Sequence, residues 1–191
     1  MTKLLLAGAA ASALLAAPAV AQDARIASWY SQAGLGLSLP TDDGAFIGTV
    51  EGEVDYDPGF AFGGLVGYQF GNLAVEGEVT GRANDFDDNV SDENLTVTAF
   101  LVNGVLSGAA DALWQPYAGA GAGYATSNIE GADGSFAWQA KAGLRRNLGP
   151  SGAVGVEASY LSTNGFEDRD FGIDYGAASF IATYTFRFGP Y

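Results

Sequence analysis

The feature that most constrains this chain is a hydrophobic period of two. It runs through segments of about ten residues and recurs along the chain after residue 28. In Trp29 to Leu39, Trp29, Ala33, Leu35, Leu37 and Leu39 share one face, while Tyr30, Gln32, Gly34, Gly36 and Ser38 share the other. A helix would bring apolar residues together every three or four positions; a strand sends successive side chains to opposite faces. The same alternation marks Phe60 to Phe70, Leu73 to Arg82, Leu95 to Leu106, Phe136 to Arg145, Ala153 to Leu161 and Ala177 to Phe188. Tyr117 to Ala125 reads YAGAGAGYA, a strand whose two faces are too alike to orient. Trp, Phe, Tyr and Val favour strands, and Gly-, Asn- and Asp-rich stretches separate them. The expectation is an all-β chain of eight antiparallel strands, each near the length a tilted strand needs to cross a bilayer, about 9–11 residues.

Alternation alone does not separate a membrane barrel from a soluble sheet with one wet face. The charges carry more weight. Glu76, Glu78, Arg82, Lys141, Arg145, Glu157 and Arg187 all fall on the face opposite the bulky apolar residues. An Arg or Lys facing lipid at mid-bilayer costs about 2–4 kcal/mol. Read as a closed barrel, these seven residues line a narrow lumen, where Glu76, Glu78 and Glu157 are expected to pair with Lys141, Arg145, Arg187 and Arg82. Read as a soluble sheet, they form a solvated outer surface.

The connections alternate in length. Pro40 to Pro58, Ala83 to Asn94, Thr126 to Ser135 and Ser162 to Gly176 are long; Gly71-Asn72, Gly108 to Trp114 and Asn147 to Gly152 are short. Short periplasmic turns and longer outer loops are the asymmetry of an up-and-down transmembrane β-barrel. The long loops hold 17 of the 22 acidic residues and one base, Arg169. They predict an acidic outer rim, with divalent cations as candidate partners bridging it to lipopolysaccharide. Aromatic residues anchor membrane interfaces. Trp29, Tyr68, Phe70, Trp114, Phe186 and Phe188 lie near the short turns; Phe60, Phe62, Tyr124, Trp138 and Tyr160 lie nearer the long loops, giving two expected girdles.

Composition removes other classes. The chain has no His and no Cys. Histidine- or thiol-based catalysis, thiolate metal sites and disulfides are therefore excluded. Asp pairs in the loops have no spacing that calls for a carboxylate enzyme, and no catalytic activity, cofactor or metal is expected. A net charge of −14 argues against nucleic acid, whose phosphates need a basic face. Met1 to Ala21 has a basic Lys3, an Ala/Leu run and an Ala19-Val20-Ala21 cleavage pattern, which predicts a secretory signal peptide at 1–21 and a barrel domain at 22–191. The glycines of AGAGAGY lack the following helix and Lys-Ser/Thr of a phosphate loop, so they are expected to make room for neighbouring side chains.

Three passages carry a family resemblance: NLTVTAFLVNGVL to WQPYAGAGAGYA (Asn94 to Ala125), FAWQAKAGLRRNL (Phe136 to Leu148) and the final FIATYTFRF. They are similar to the small outer-membrane β-barrel superfamily of surface-antigen and opacity-type proteins. The resemblance implies an eight-stranded barrel in the Gram-negative outer membrane, in contact with its lipid and lipopolysaccharide. It also implies a last strand read by the barrel-insertion machinery, with Phe188 or Tyr191 as the aromatic signal residue. No family active site can be carried over. The function expected is a structural, surface-exposed membrane protein with acidic loops; the alternatives are a small passive channel and a soluble periplasmic β-barrel carrier.

Overall fold

The computed structural model describes residues 28–41, 44–47, 50–53, 58–85, 94–109, 112–128, 134–163, 166–168, 171–173 and 175–188. The strands are β1 (Ser28–Thr41), β2 (Gly44–Ile47), β3 (Val50–Glu53), β4 (Gly59–Phe70), β5 (Leu73–Asp85), β6 (Asn94–Ser107), β7 (Trp114–Ser127), β8 (Ser135–Asn147), β9 (Gly152–Thr163), β10 (Phe166–Asp168), β11 (Phe171–Ile173) and β12 (Gly176–Phe188). Eight of them close into one antiparallel barrel in the order β1-β12-β9-β8-β7-β6-β5-β4. β1 closes it, pairing Trp29 with both Phe188 and Tyr68. The expected all-β, eight-stranded, up-and-down barrel is the observed fold. The predicted signal peptide and Tyr191 lie outside the described residues.

Closure follows from local chemistry. β4 and β5 are joined by Gly71-Asn72, where Gly71 has φ 65°, a left-handed conformation that a Cβ would disfavour. Gln69 Nε2 donates to Gly71 O at 2.9 Å and stiffens the turn. The barrel strands are 12–14 residues long. At about 3.3 Å per residue and a tilt of about 40° they rise about 30–35 Å, the thickness of a bilayer's hydrocarbon.

Burial is inverted relative to a water-soluble sheet. Leu35, Phe60 and Val156 are 63–64% exposed, whereas Arg82 and Arg145 are 1% and 2% exposed. A continuous apolar outer surface of this size would not persist in water. In lipid it is the favourable arrangement, and closing the sheet leaves no strand edge with unpaired backbone groups.

The interior has three levels. Val97, Ala99, Leu101, Ala125, Ala137, Leu161, Tyr175 and Ala177 cluster toward the long-loop end. Tyr30, Leu65, Ala74, Val105 and Tyr117 cluster toward the short-turn end. The central charged residues lie between.

Three differences from the sequence reading have physical causes. First, the barrel strands run past their predicted ends, as in β5 to Asp85 and β8 to Asn147, because the backbone ladder continues beyond the stretch where side-chain alternation is clear. Second, the first and last long connections are not plain loops. They contain β2–β3 and β10–β11, which pair through β11 and β2 into a second, four-stranded antiparallel sheet. Third, the Gly-rich β7 is oriented, with Gln115 and Tyr117 buried inside and Trp114 and Tyr124 outside.

Candidate functional site in the barrel lumen

Lys141 holds the centre of the lumen. It projects from the middle of β8, and its Nζ lies 2.6 Å from Glu76 Oε2 and 2.8 Å from Glu78 Oε2, both on β5. The strands are not neighbours, so the contact exists because the sheet is closed. Glu78 Oε2 also accepts from Asn103 Nδ2 at 2.8 Å and Gln139 Nε2 at 2.7 Å, and Gln139 Nε2 lies 3.0 Å from Asn103 Oδ1. One carboxylate is thus tied to three side chains on two other strands, β6 and β8. Charge-assisted bonds of this kind are about twice as strong as neutral ones.

Arg145 lies one step toward the short turns. Its Nη2 is 3.6 Å from Glu76 Oε1, and its guanidinium carbon sits 4.0 Å and 5.4 Å from the ring centroids of Tyr117 and Tyr30. Two aromatic faces thus flank a desolvated cation. Both tyrosines reach carboxylates: Tyr30 Oη donates to Glu76 Oε1, and Tyr117 Oη donates to Glu157 Oε2 at 2.8 Å.

These two contacts share one construction. Tyr30 on β1 pairs with Gly67 on β4, which pairs with Glu76 on β5. Tyr117 on β7 pairs with Gly143 on β8, which pairs with Glu157 on β9. Each tyrosine lies across the bare glycine to reach the carboxylate one strand further on. A Cβ on Gly67 would meet the Tyr30 ring, and one on Gly143 would meet the Tyr117 ring. Gly121 does the same for an amide pair: it separates Asn103 from Gln139, and a Cβ there would meet Asn103 Oδ1. Gly121 of β7 and Gly143 of β8 therefore make room for lumen side chains.

The predicted charged residues are not all brought together. Glu76, Glu78, Lys141 and Arg145 form the ion pairs among the described residues. Arg82 stands nearer the long loops, bonded to Ser179 Oγ at 3.1 Å, Thr80 Oγ1 at 3.2 Å and Ser159 Oγ at 3.4 Å rather than to a carboxylate. Arg187 lies at the short-turn end and donates to Asn147 Oδ1 at 2.8 Å and Gln115 Oε1 at 3.0 Å. Glu157 is held by Tyr117 and, with Glu78, Gln32, Thr80 and Thr183, lines a cavity of about 20 Å³. Alternation does not single out Tyr117, Asn103 and Gln115 as members of this interior, and it puts Tyr30 and Gln139 on the lumen face without assigning them a role.

It also missed an outward charge. Alternation puts every strand charge inside, but the alternating segment Phe136 to Arg145 stops one residue short of Arg146. β8 continues to Asn147 and carries Arg146 on the exposed face. Arg146 is the last residue but one of the strand, beside Trp114, and an Arg near a membrane interface costs about 0–1 kcal/mol rather than the midplane value.

The aromatic residues predicted as girdles all face outward or sit half-buried on the outer wall. Near the short turns, Trp29 and Tyr68 stack edge-on at 5.1 Å, Tyr68 and Phe70 lie 6.4 Å apart, and Phe186 and Phe188 meet at 4.9 Å. Trp114 lies beside Arg146. Near the long loops, Trp138 and Tyr160 lie 5.7 Å apart, with Phe60, Phe62 and Tyr124 exposed on the same outer wall. Most acidic residues of the long loops lie outside the described residues.

An inside-out closed barrel with apolar walls and a charged, packed interior defines an integral membrane β-barrel. The sequence profile of the outer membrane protein β-barrel domain matches residues 7–188, and the chain belongs to that family. By that membership it is an integral outer-membrane β-barrel protein. Its fold is similar to that of Neisserial surface protein A, with a TM-score of 0.62 and 15% identity, over 86% of this chain and 100% of the other. It is also similar to the outer membrane protein OprG from Pseudomonas aeruginosa, with a TM-score of 0.60 and 14% identity, over 86% of this chain and 97% of the other. No curated protein sequence matches the chain.

Proposed function

We propose that this protein is a closed, surface-exposed structural barrel of the outer membrane, without catalytic activity, that displays acidic loops outward. The observation that carries this reading is the layering of the lumen. A polar layer with direct Lys141–Glu76 and Lys141–Glu78 pairs lies between an apolar cluster at the long-loop end and a Tyr/Leu/Val cluster at the short-turn end. Eight strands enclose an interior that side chains can just fill. A water-filled path would require both clusters to part. The two aromatic groups mark the lipid boundaries in this reading, and the outer wall meets phospholipid and lipopolysaccharide.

The same reading has the first 21 residues removed on export and β12, ending at Phe188, serving as the strand the insertion machinery recognises. N-terminal sequencing of the protein from outer membranes should then begin at Gln22. Planar-bilayer recording of the refolded protein tests the closed lumen. No stepwise ion conductance is expected; a steady, reproducible conductance would overturn it in favour of a passive channel.

A further inference from the structure

Among the described side chains of the eight barrel strands, Arg146 alone carries a charge on the outward face. It is the last residue but one of β8 and pairs in register with Trp114 on one side and Val154 on the other. Its guanidinium carbon is 5.6 Å from the Trp114 ring centroid. No hydrogen bond or ion pair reaches that guanidinium among the described residues. The pair is held in place from behind: Asn147 N donates to Leu113 O at 2.9 Å, and Asn147 Nδ2 donates to Ala112 O at 2.6 Å. Leu113 and Leu148 flank it, both well exposed.

A guanidinium stays charged and presents five donors in a planar fork. On an otherwise uncharged lipid-facing wall, beside one aromatic ring, those donors need an acceptor from outside the protein. A phosphodiester supplies two oxygens in the geometry the fork matches, and the flanking leucines and indole suit the upper acyl chains. The short-turn end is the periplasmic end in the reading given above, and this inference rests on that orientation. The chain as a whole is strongly acidic, with a net charge of −14, so it repels anions elsewhere.

We propose that Arg146 and Trp114 form a binding site for the phosphate of a phospholipid in the periplasmic leaflet. The test is native mass spectrometry of the protein folded in a phosphate-free maltoside detergent. Phosphatidylglycerol, phosphatidylethanolamine and a phosphate-free galactosyl diacylglycerol are titrated in separate arms, with inorganic phosphate in a fourth. Wild-type protein should retain one phospholipid of either kind, and Arg146→Gln should weaken retention about tenfold for both. Arg146→Lys should fall between, because it keeps the charge and loses the fork. Trp114→Leu should weaken retention less than Arg146→Gln does. Equal retention by Arg146→Gln and wild type, or equal retention of the galactolipid, would overturn the site. Arg146-dependent binding of inorganic phosphate alone would overturn its assignment to a lipid. Failure of the wild-type chain to give a heat-modifiable barrel on a gel would count against the transmembrane reading. Unchanged lipid retention on a folded barrel would count against the Arg146 site alone.

Discussion

The lumen holds the same three-strand step twice, Tyr30–Gly67–Glu76 and Tyr117–Gly143–Glu157, and the two are loaded differently. Glu76 is fully buried and carries Lys141, Arg145 and Tyr30. Glu157 has Tyr117 as its hydrogen-bond donor and borders the small cavity with Glu78. Backbone geometry therefore does not set how tightly a carboxylate is held here. What decides is which side chains arrive from strands across the barrel. The first step is a cross-barrel lock, and the second is local.

That contrast can be broken by substitution. The largest effect is expected from Lys141→Met. It leaves Glu76 and Glu78 without their shared cation in a buried site, a loss of about 3–5 kcal/mol. The temperature at which the unboiled gel band converts to the unfolded one should fall clearly; an unchanged midpoint would remove the lock. Next, Glu76→Gln and Glu157→Gln should differ. The first leaves Arg145 without its ion-pair carboxylate and takes from Lys141 one of its two, and should cost several-fold more than the second, which loses about 1 kcal/mol or less because an amide oxygen still accepts from Tyr117. Equal losses in urea unfolding from detergent would show the two steps to be equivalent.

The shared part of the construction gives a symmetrical expectation. Gly67→Ala and Gly143→Ala each place a methyl group against a tyrosine ring and should each cost about 1–3 kcal/mol. A cost confined to one would show that the common geometry is not what matters. The smallest effect is expected at the cavity. Thr183 Oγ1 is buried without a hydrogen-bond partner among the described residues. Thr183→Val should therefore be neutral or slightly stabilising, since an unsatisfied buried hydroxyl is itself a cost. A loss above about 1 kcal/mol would mean that the hydroxyl is engaged in the folded protein.

Parts of the interior were legible in one dimension. The inward placement of Glu76, Glu78, Arg82, Lys141, Arg145, Glu157 and Arg187 follows from alternation, because a strand's side chains have a period of two. The pairing of Gly67 with Glu76 follows too, since residues equidistant from a two-residue turn face each other. The pairing of Tyr30 with Gly67 does not, because it crosses the longest connection, whose length sets no register. β7 could not be oriented because Ala and Gly differ too little to mark a face. Arg146 was missed for a boundary reason: the ladder outlasts the apolar pattern by two residues.

The amino-acid order alone determined the strands, their two faces, the alternation of short and long connections and the placement of charge inside, because each depends on neighbours a few residues apart. Only the closed barrel decided that Lys141 bridges Glu76 and Glu78, that Arg145 lies between two tyrosines, and that Arg82 and Arg187 find hydroxyl and amide partners. Most of those contacts join strands that are not neighbours in the sheet, and their distances are set by the width and stagger of the closed sheet, which no local pattern encodes.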